Sequence, residues 1–296
     1  MEIRRVKVPT ALVWAKPVQP QTLTQALLAG QVAPWLAQLS LVDQEQLADQ
    51  QAVVTEVLFN DQVVLDQIQD GWAHVFVQRQ TNRLSRRGYP GWLPLSQLTD
   101  ADQELAYPTT TVRLVQPATV FTTTDQQIRL TLPMGTILTT TGQDSDRIQV
   151  VTPLGSGSIA AQAAHLTIAG GDDGARLLAL SRQLLGTPYL WGGLTPQGVD
   201  CSGLAYSVHR TLGYRIPRDA QDQFTAGYPI APEALRPGDL IFFATDHGTG
   251  HVHHVGLYAG QGQMLHAPRP GQTVAQTPLT TAPFAAEYAG ARRFWQ

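Results

Sequence analysis

One cysteine occurs in 296 residues, Cys201, within the run Val199-Asp200-Cys201-Ser202-Gly203-Leu204. A single thiol forms no internal disulfide, which suits a reducing compartment. A lone cysteine is often only a small buried apolar residue, so its surroundings must decide. Leu204, Ala205, Val208 and Leu212 share one helical face, and Gly213 supplies a stop. The spacing predicts a helix that begins at the cysteine, where unpaired N–H groups and the macrodipole favour a thiolate. Asp200 is placed to cap that helix. A carboxylate there repels a thiolate, which suggests a compensating use such as holding a substrate ammonium; one residue can serve both purposes. A thiol nucleophile also needs a base and a group that orients the base. His254 in His251-Val252-His253-His254-Val255-Gly256-Leu257-Tyr258, and His266 in Met264-Leu265-His266-Ala267, fall in runs that alternate as adjacent antiparallel strands.

Other chemistries fit less well. His247, His251, His253 and His254 crowd together, but nothing resembles a His pair one helical turn apart with an acid; no metal and no cofactor is expected. His251 and His253 read as loop or solvent-facing residues. Gly260-Gln261-Gly262 sits in a turn with no helix after it to receive a phosphate. The net charge of -3 gives no general attraction to nucleic acid. No run approaches the apolar length of a membrane span. The start, Met1-Glu2-Ile3-Arg4-Arg5-Val6-Lys7 before Pro9, lacks the apolar stretch of a secretory signal. A cytoplasmic monomer is the resulting expectation.

The elements that must position these residues fall into three parts. Short β-branched runs lie between Val53 and Leu98, among them Val63-Val64-Leu65 and Trp72-Ala73-His74-Val75-Phe76-Val77. A similar set lies between 111 and 168. Each predicts a small β-barrel. From Gln21 to Gln51, Leu23, Ala26, Leu27, Trp35, Leu36, Leu39 and Leu41 recur at helical offsets, which predicts a helical insertion in the first barrel. Ala169-Gly170-Gly171-Asp172-Asp173-Gly174 reads as a link, with Asp172 or Asp173 capping a helix whose apolar face holds Leu177, Leu178, Leu184 and Leu185. The expected domains are therefore 1–105, 106–168 and 172–296.

The last part carries four blocks in order: Tyr189-Leu190-Trp191-Gly192-Gly193, Asp200-Cys201-Ser202-Gly203-Leu204, Pro237-Gly238-Asp239-Leu240 and His254-Val255-Gly256-Leu257-Tyr258. From about Leu177 to Trp295 the chain resembles the NlpC-type, papain-like cysteine peptidases of bacterial cell-wall peptides. The resemblance implies an α+β fold: a papain-like domain preceded by two SH3-like β-barrels. It implies Cys201 as nucleophile, His254 as general base and His266 as the group orienting His254.

The arrangement resembles the intracellular branch that releases L-Ala-D-Glu from murein peptides by cutting the gamma-D-glutamyl bond before a diamino acid. Tyr189, Asp200 and Ser202 are then expected to bind substrate. By the same resemblance, an acid and a tyrosine of the first barrel hold the terminal alanine. Glu56 and Tyr89 are assigned to that place, with Asp61 a nearby rival. Where that branch often has a serine after the Arg-Asp pair, matched here by Arg218-Asp219, this chain has Ala220. Two other readings stand beside the recycling peptidase: a secreted endopeptidase on intact peptidoglycan, and a wall-peptide-binding protein that does not cut.

Overall fold

The computed structural model describes residues 2–19, 22–99, 110–165 and 172–295. The expected boundaries near 105 and 168, Ala169, Gly170 and Gly171 of the expected link, and Gln21 fall outside the described residues. The first sheet contains β1 (Glu2–Arg5), β2 (Thr10–Trp14), β3 (Val53–Leu58), β4 (Gln62–Gln69), β5 (Trp72–Val77) and β6 (Tyr89–Pro94). They run in the order β1-β4-β5-β6-β2-β3 with antiparallel neighbours. Val13, Val57, Val63, Ala73, Val75 and Leu93 project into its core.

Three short helices, α1 (Gln25–Leu28), α2 (Val32–Leu36) and α3 (Leu41–Asp49), lie between β2 and β3. Leu27, Val32, Trp35 and Leu36 form an apolar cluster with Trp14 and with Leu190 of the C-terminal part. Trp14 and Trp35 meet edge to face, 6.1 Å apart. The helix α3 differs from the sequence expectation. It buries no side chain, and Leu41 is 51% exposed. A reciprocal capping box between Ser40 and Asp43 holds its start instead.

The second sheet contains β7 (Thr111–Leu114), β8 (Ala118–Thr123), β9 (Arg129–Pro133), β10 (Ile137–Gln143), β11 (Arg147–Thr152), β12 (Gly155–Ala160) and β13 (Ala164–His165). Their order is β13-β7-β10-β11-β12-β8-β9. Leu114, Phe121, Leu132, Leu138 and Ile148 fill its core, together with Phe59 from the first unit. Met134 packs the other way, into the core of the C-terminal unit. The two β-rich units are consistent with SH3-like domains.

In the C-terminal unit, Asp172 accepts a hydrogen bond from Ala175 N and caps α4 (Asp173–Arg182). Leu177, Leu178 and Leu184 are buried there, whereas Leu185, expected on the same face, is 48% exposed. The hairpin β14 (Leu194–Thr195) and β15 (Gly198–Val199) leads into α5 (Cys201–Leu212). After α6 (Ala220–Ala226) come β16 (Tyr228–Ile230), β17 (Leu240–Ala244), β18 (Val252–Gly260), β19 (Gln263–His266), β20 (Ala275–Pro278) and β21 (Tyr288–Arg293). They form one antiparallel sheet in the order β16-β21-β17-β18-β19-β20. Every residue of β17 is buried, as expected of an interior strand.

The whole of α5 is buried, polar residues included. Several of its polar groups find carbonyl partners: Thr211 Oγ1 donates to Ser207 O at 2.8 Å, His209 Nδ1 lies 2.7 Å from Ala205 O, and Ser207 Oγ donates to Leu194 O. At its far end Arg210 donates from Nη2 to Asp61 Oδ1 of the first unit at 2.5 Å and from Nε to Gly135 O of the second at 2.8 Å. Gly213 ends the helix with φ 91°, where a side chain is disfavoured.

At the start of α5, Gly203 passes so close to the preceding turn that an added Cβ would lie 2.0 Å from Gly193 O. That carbonyl is backbone and has no rotamer to retreat into. Gly203→Ala is therefore expected to destabilise the protein by about 3 kcal/mol or more, read as a fall in the urea midpoint. An unchanged midpoint would mean that the helix start is free to move.

Candidate active site

Three elements meet at Cys201. The helix α5 presents it as its first residue, β18 carries His254, and β19 carries His266. The helix start is set by Asp200, which is extended (φ -94°, ψ 177°) and accepts from Gly203 N at 2.6 Å. The same carboxylate accepts from Gly192 N at 2.8 Å and from Ser202 Oγ at 3.1 Å. Arg218 completes its shell, with Nη1 3.2 Å from Oδ1 and Nη2 2.8 Å from Oδ2. Asp200 thus caps the helix, and both its oxygens are occupied by internal donors.

Arg218 is 1% exposed and also donates from Nη1 to Ser202 Oγ at 2.9 Å and from Nε to Thr55 Oγ1 at 2.9 Å. The first β unit is thereby joined to the helix that carries the cysteine. Glu56, next to Thr55, is fully buried, and its Oε2 accepts from Leu194 N at 2.5 Å. Its Oε1 is buried without a well-formed hydrogen bond, although the Thr195 side chain helps to stabilise the carboxylate. Burial pushes this carboxyl up to about 8, against the opposing pull of the Leu194 amide and Arg218. Tyr89 donates its hydroxyl between the two oxygens of Asp219, at 3.1 and 3.0 Å. It therefore reaches the cluster through the N-cap residue of α6. Ser202 spends its hydroxyl on Asp200 and Arg218, and Ala220 opens α6 beside it with no hydroxyl to offer.

The histidines form a relay. His254 Nε2 and His266 Nδ1 are 2.8 Å apart, and His266 Nε2 lies 3.0 Å from Thr277 Oγ1. For neutral rings, one arrangement leaves His254 a free basic nitrogen: Nε2–H of His254 donates to His266, and Nε2–H of His266 donates to Thr277. Nδ1 of His254 is then an acceptor. Phe284 stacks on His254 at 5.5 Å and meets His266 edge-on at 5.1 Å, which holds both rings in place. Burial, then His266 and His253, keep His254 well below the usual histidine value, and burial takes His266 down to about 4.

The thiol departs from the sequence expectation. Burial, followed by the charge of Asp200, pushes Cys201 up to about 12, although the amides of Val255 and Ser202 pull the other way. The helix start does favour the thiolate, but desolvation outweighs it. At rest the site holds a neutral thiol and a neutral imidazole. Tyr189, also buried, faces the thiol closely enough that a thiolate there raises the tyrosine's own value, after burial itself.

Two clefts flank the loop 268–272. One, of about 830 Å³, is lined by His253, His254, His266, Arg269, Thr277 and Phe284. The other, of about 620 Å³, is lined by Glu45, Asp49, Tyr189, Trp191, Arg269 and Pro270. Cys201 lines neither and is 9% exposed. Among the described residues no cluster of His, Cys, Asp and Glu could hold a metal ion, and His253 pairs with Glu287 at 3.2 Å. No helix among them is long and apolar enough to cross a membrane. Sequence reasoning missed Arg218, Thr277 and Phe284 as parts of the site. Only Arg218 carried a signal, as half of the Arg-Asp pair.

A helix-borne cysteine set against a histidine pair on an antiparallel sheet defines a papain-like cysteine peptidase. Residues 186–293 match the family described as NlpC/P60. A gamma-D-glutamyl-L-lysine dipeptidyl-peptidase of Bacillus subtilis (strain 168) is 33% identical over 96% of this chain and 96% of its own length. One of the same name from Bacillus cereus (strain ATCC 10987 / NRS 248) is 31% identical over 98% and 90%. The crystal structure of an NlpC/P60 family protein from Bacillus cereus ATCC 10987 superposes with a TM-score of 0.91 at 29% identity, covering 99% of this chain and 100% of that one. The chain belongs to the NlpC/P60 family.

Glu56 gives the site a measurable pH signature. The folded chain holds this proton to about pH 8, whereas an unfolded glutamate releases it near 4.5. Unfolding then releases a proton between these values, so this residue lowers stability as pH rises through the window. Glu56→Gln keeps an acceptor for Leu194 N and removes the titration. Relative to the native chain the variant is expected to gain stability from pH 5 to pH 8, on the order of 4 kcal/mol at the upper end. Thermal unfolding at both pH values checks this. A difference that does not vary with pH would place Glu56 in water.

Proposed function

We propose that the protein hydrolyses the gamma-D-glutamyl bond before the diamino acid of murein peptides, releasing L-Ala-D-Glu from peptides with a free N-terminus. The observation that carries this reading is Glu56: a buried carboxyl from the first β unit, with one oxygen lacking a well-formed hydrogen bond, set against Arg218 and Asp200 at the head of the cysteine helix. A peptide ammonium placed there gives that oxygen the hydrogen bond it lacks and lets the carboxyl ionise. Asp200, its lone pairs already filled, contributes through its field and by fixing Arg218. Tyr189, Ser202 and Tyr89 shape the same end. The names of the two full-length relatives support the bond, and they print lysine as the diamino acid. A cytoplasmic monomer engaged in peptide recycling fits a substrate that is small and already released from the wall.

In the proposed reaction the Cys201 thiol passes its proton to Nδ1 of His254 as sulfur bonds to the D-glutamyl side-chain carbonyl carbon. Amides at the helix start, with Tyr189, stabilise the oxyanion. The C–N bond breaks, and His254 returns the proton to the leaving amine. Water then gives a proton to His254 and adds to the thioester. Collapse releases the carboxylic acid and restores the thiol. His266 keeps Nδ1 of His254 unprotonated beforehand and shares the positive charge afterwards. Pairing of Glu56 with the substrate ammonium also adds no net charge near the sulfur, where a bare carboxylate would oppose the thiolate.

Acetylating the substrate's amine leaves Glu56 without its proposed partner, and is expected to lower kcat/KM at least about a hundredfold. Rates of L-Ala-D-Glu-diamino-acid peptides with and without the cap test this. Comparable rates would point to an endopeptidase on intact wall. Cys201→Ala should bind the free peptide without cutting it, and binding without cutting by the unmodified chain would instead identify a wall-peptide-binding protein.

The histidines divide the work. His254→Ala should remove nearly all turnover. His266→Ala should remove less, because it orients the base and transfers no proton itself. Equal and small losses in single-turnover assays would assign the base to another residue.

A further inference from the structure

At the opposite end of α5 from Cys201, the three units enclose a recess of about 60 Å³. Arg79 enters from the first unit, Arg113 from the second, and Arg210 and Arg215 from the third. Tyr206 completes the wall and donates its hydroxyl to Arg79 O at 3.2 Å. Arg210 is 5% exposed, and while its Nε and Nη2 are bonded to Gly135 O and Asp61, its Nη1 is buried without a well-formed hydrogen bond, although the Tyr206 hydroxyl interacts with this guanidinium. The Nε of Arg113 is likewise buried and unpartnered. Asp61 is the one acid that acts on this cluster among the described residues, and Arg210 has taken it.

Like charges gathered this way are unfavourable unless something neutralises them. Burial and then the neighbouring guanidinium groups hold both Arg79 and Arg113 below the usual arginine range. Arg210 is buried and Arg113 half-buried, while Arg79 and Arg215 reach in from an exposed rim. They converge on a space of about two water volumes, each about 30 Å³, which is the size of one small anion. Guanidinium groups present planar forks of N–H donors suited to phosphate oxygens. In the proposed reaction the recess has no part, because the nine helical steps from Cys201 to Arg210 place them roughly 14 Å apart along the helix.

We propose that this recess binds a small tetrahedral dianion, inorganic phosphate or the phosphate of a monoester, and that the bound anion clamps the three units together at the tail of α5. Arg210 Nη1 and Arg113 Nε supply the unspent donors deep in the recess, with Arg79 and Arg215 closing over it from the more exposed rim. The anion adds no catalytic group. It offsets the repulsion that otherwise pushes the units apart where α5 is anchored.

The test is thermal unfolding of the full chain in chloride, acetate, sulfate and phosphate at equal ionic strength and pH. Phosphate and sulfate are expected to raise Tm saturably, by about 5 °C at a hundredfold excess over Kd. Acetate and chloride should not. Arg113→Gln should abolish the rise while leaving Tm in chloride unchanged or higher, because one like charge has gone, and its peptidase rate in chloride should match the native rate. Glucose 6-phosphate beside inorganic phosphate distinguishes the two sources: a shift with phosphate alone assigns the free ion, and a shift with both admits a monoester. A rise equal in acetate, a rise kept by Arg113→Gln, or no rise at all in phosphate would each overturn the proposal. A fall in Tm of Arg113→Gln in chloride with no phosphate effect in the native chain would show the arginines to be structural ties alone.

Discussion

The buried pair of Arg218 and Asp200 is the constraint on which the rest of the molecule turns. Two charges removed from water are tolerated only when every lone pair and N–H finds a partner, and here the partners come from distant parts of the chain. Thr55 supplies one from the first β unit, Ser202 another from the cysteine helix, and Gly192 and Gly203 the amides on either side of the nucleophile. The pair therefore does two jobs through one set of bonds: it starts α5 at Cys201 and docks the first unit. Had Asp200 merely capped a helix on the surface, it would contribute about 1 kcal/mol. Buried against Arg218, it makes the position of Cys201 depend on the first β unit.

The electrostatics around this pair describe a site that is incomplete without its substrate. Glu56 is held neutral by burial and the thiol is held protonated by burial and by Asp200. In the proposed reading the first condition eases when a cation arrives, because an ammonium lets Glu56 ionise, and it does so without adding net negative charge near the sulfur. In the proposed reading, selectivity for a free amine then has a physical origin beyond steric fit.

Much of this was readable from the chain alone where the cause was local. The helix from Cys201 to Gly213 follows from the period of Leu204, Val208 and Leu212 and from a glycine stop, and the strands of His254 and His266 follow from alternation. Local rules failed where long-range packing decided. Leu41 and Leu185 satisfy helical periodicity but stay about half exposed, since period says which face a residue takes and not what covers it. The thiol was misjudged because the helix start is a neighbour in sequence, whereas the burial that overrides it comes from elements remote in sequence. Arg218, Thr277 and Phe284 escaped notice for the same reason: each acts on a site residue that no local pattern connects to it.

The order in which the chain is made gives these long-range bonds another meaning. Thr55, Glu56 and Asp61 leave the ribosome well over a hundred residues before Arg218, Leu194 and Arg210, which complete their hydrogen bonds. During that interval the first unit has a folded face whose polar groups only water can satisfy, beside apolar residues such as Leu36 that await Leu190. The nascent chain thus carries an unfinished interface for as long as translation takes to reach α5, about ten seconds at typical rates. The helix that closes that interface, α5, is also the one that presents the thiol, so the cysteine is made only after the units it packs against.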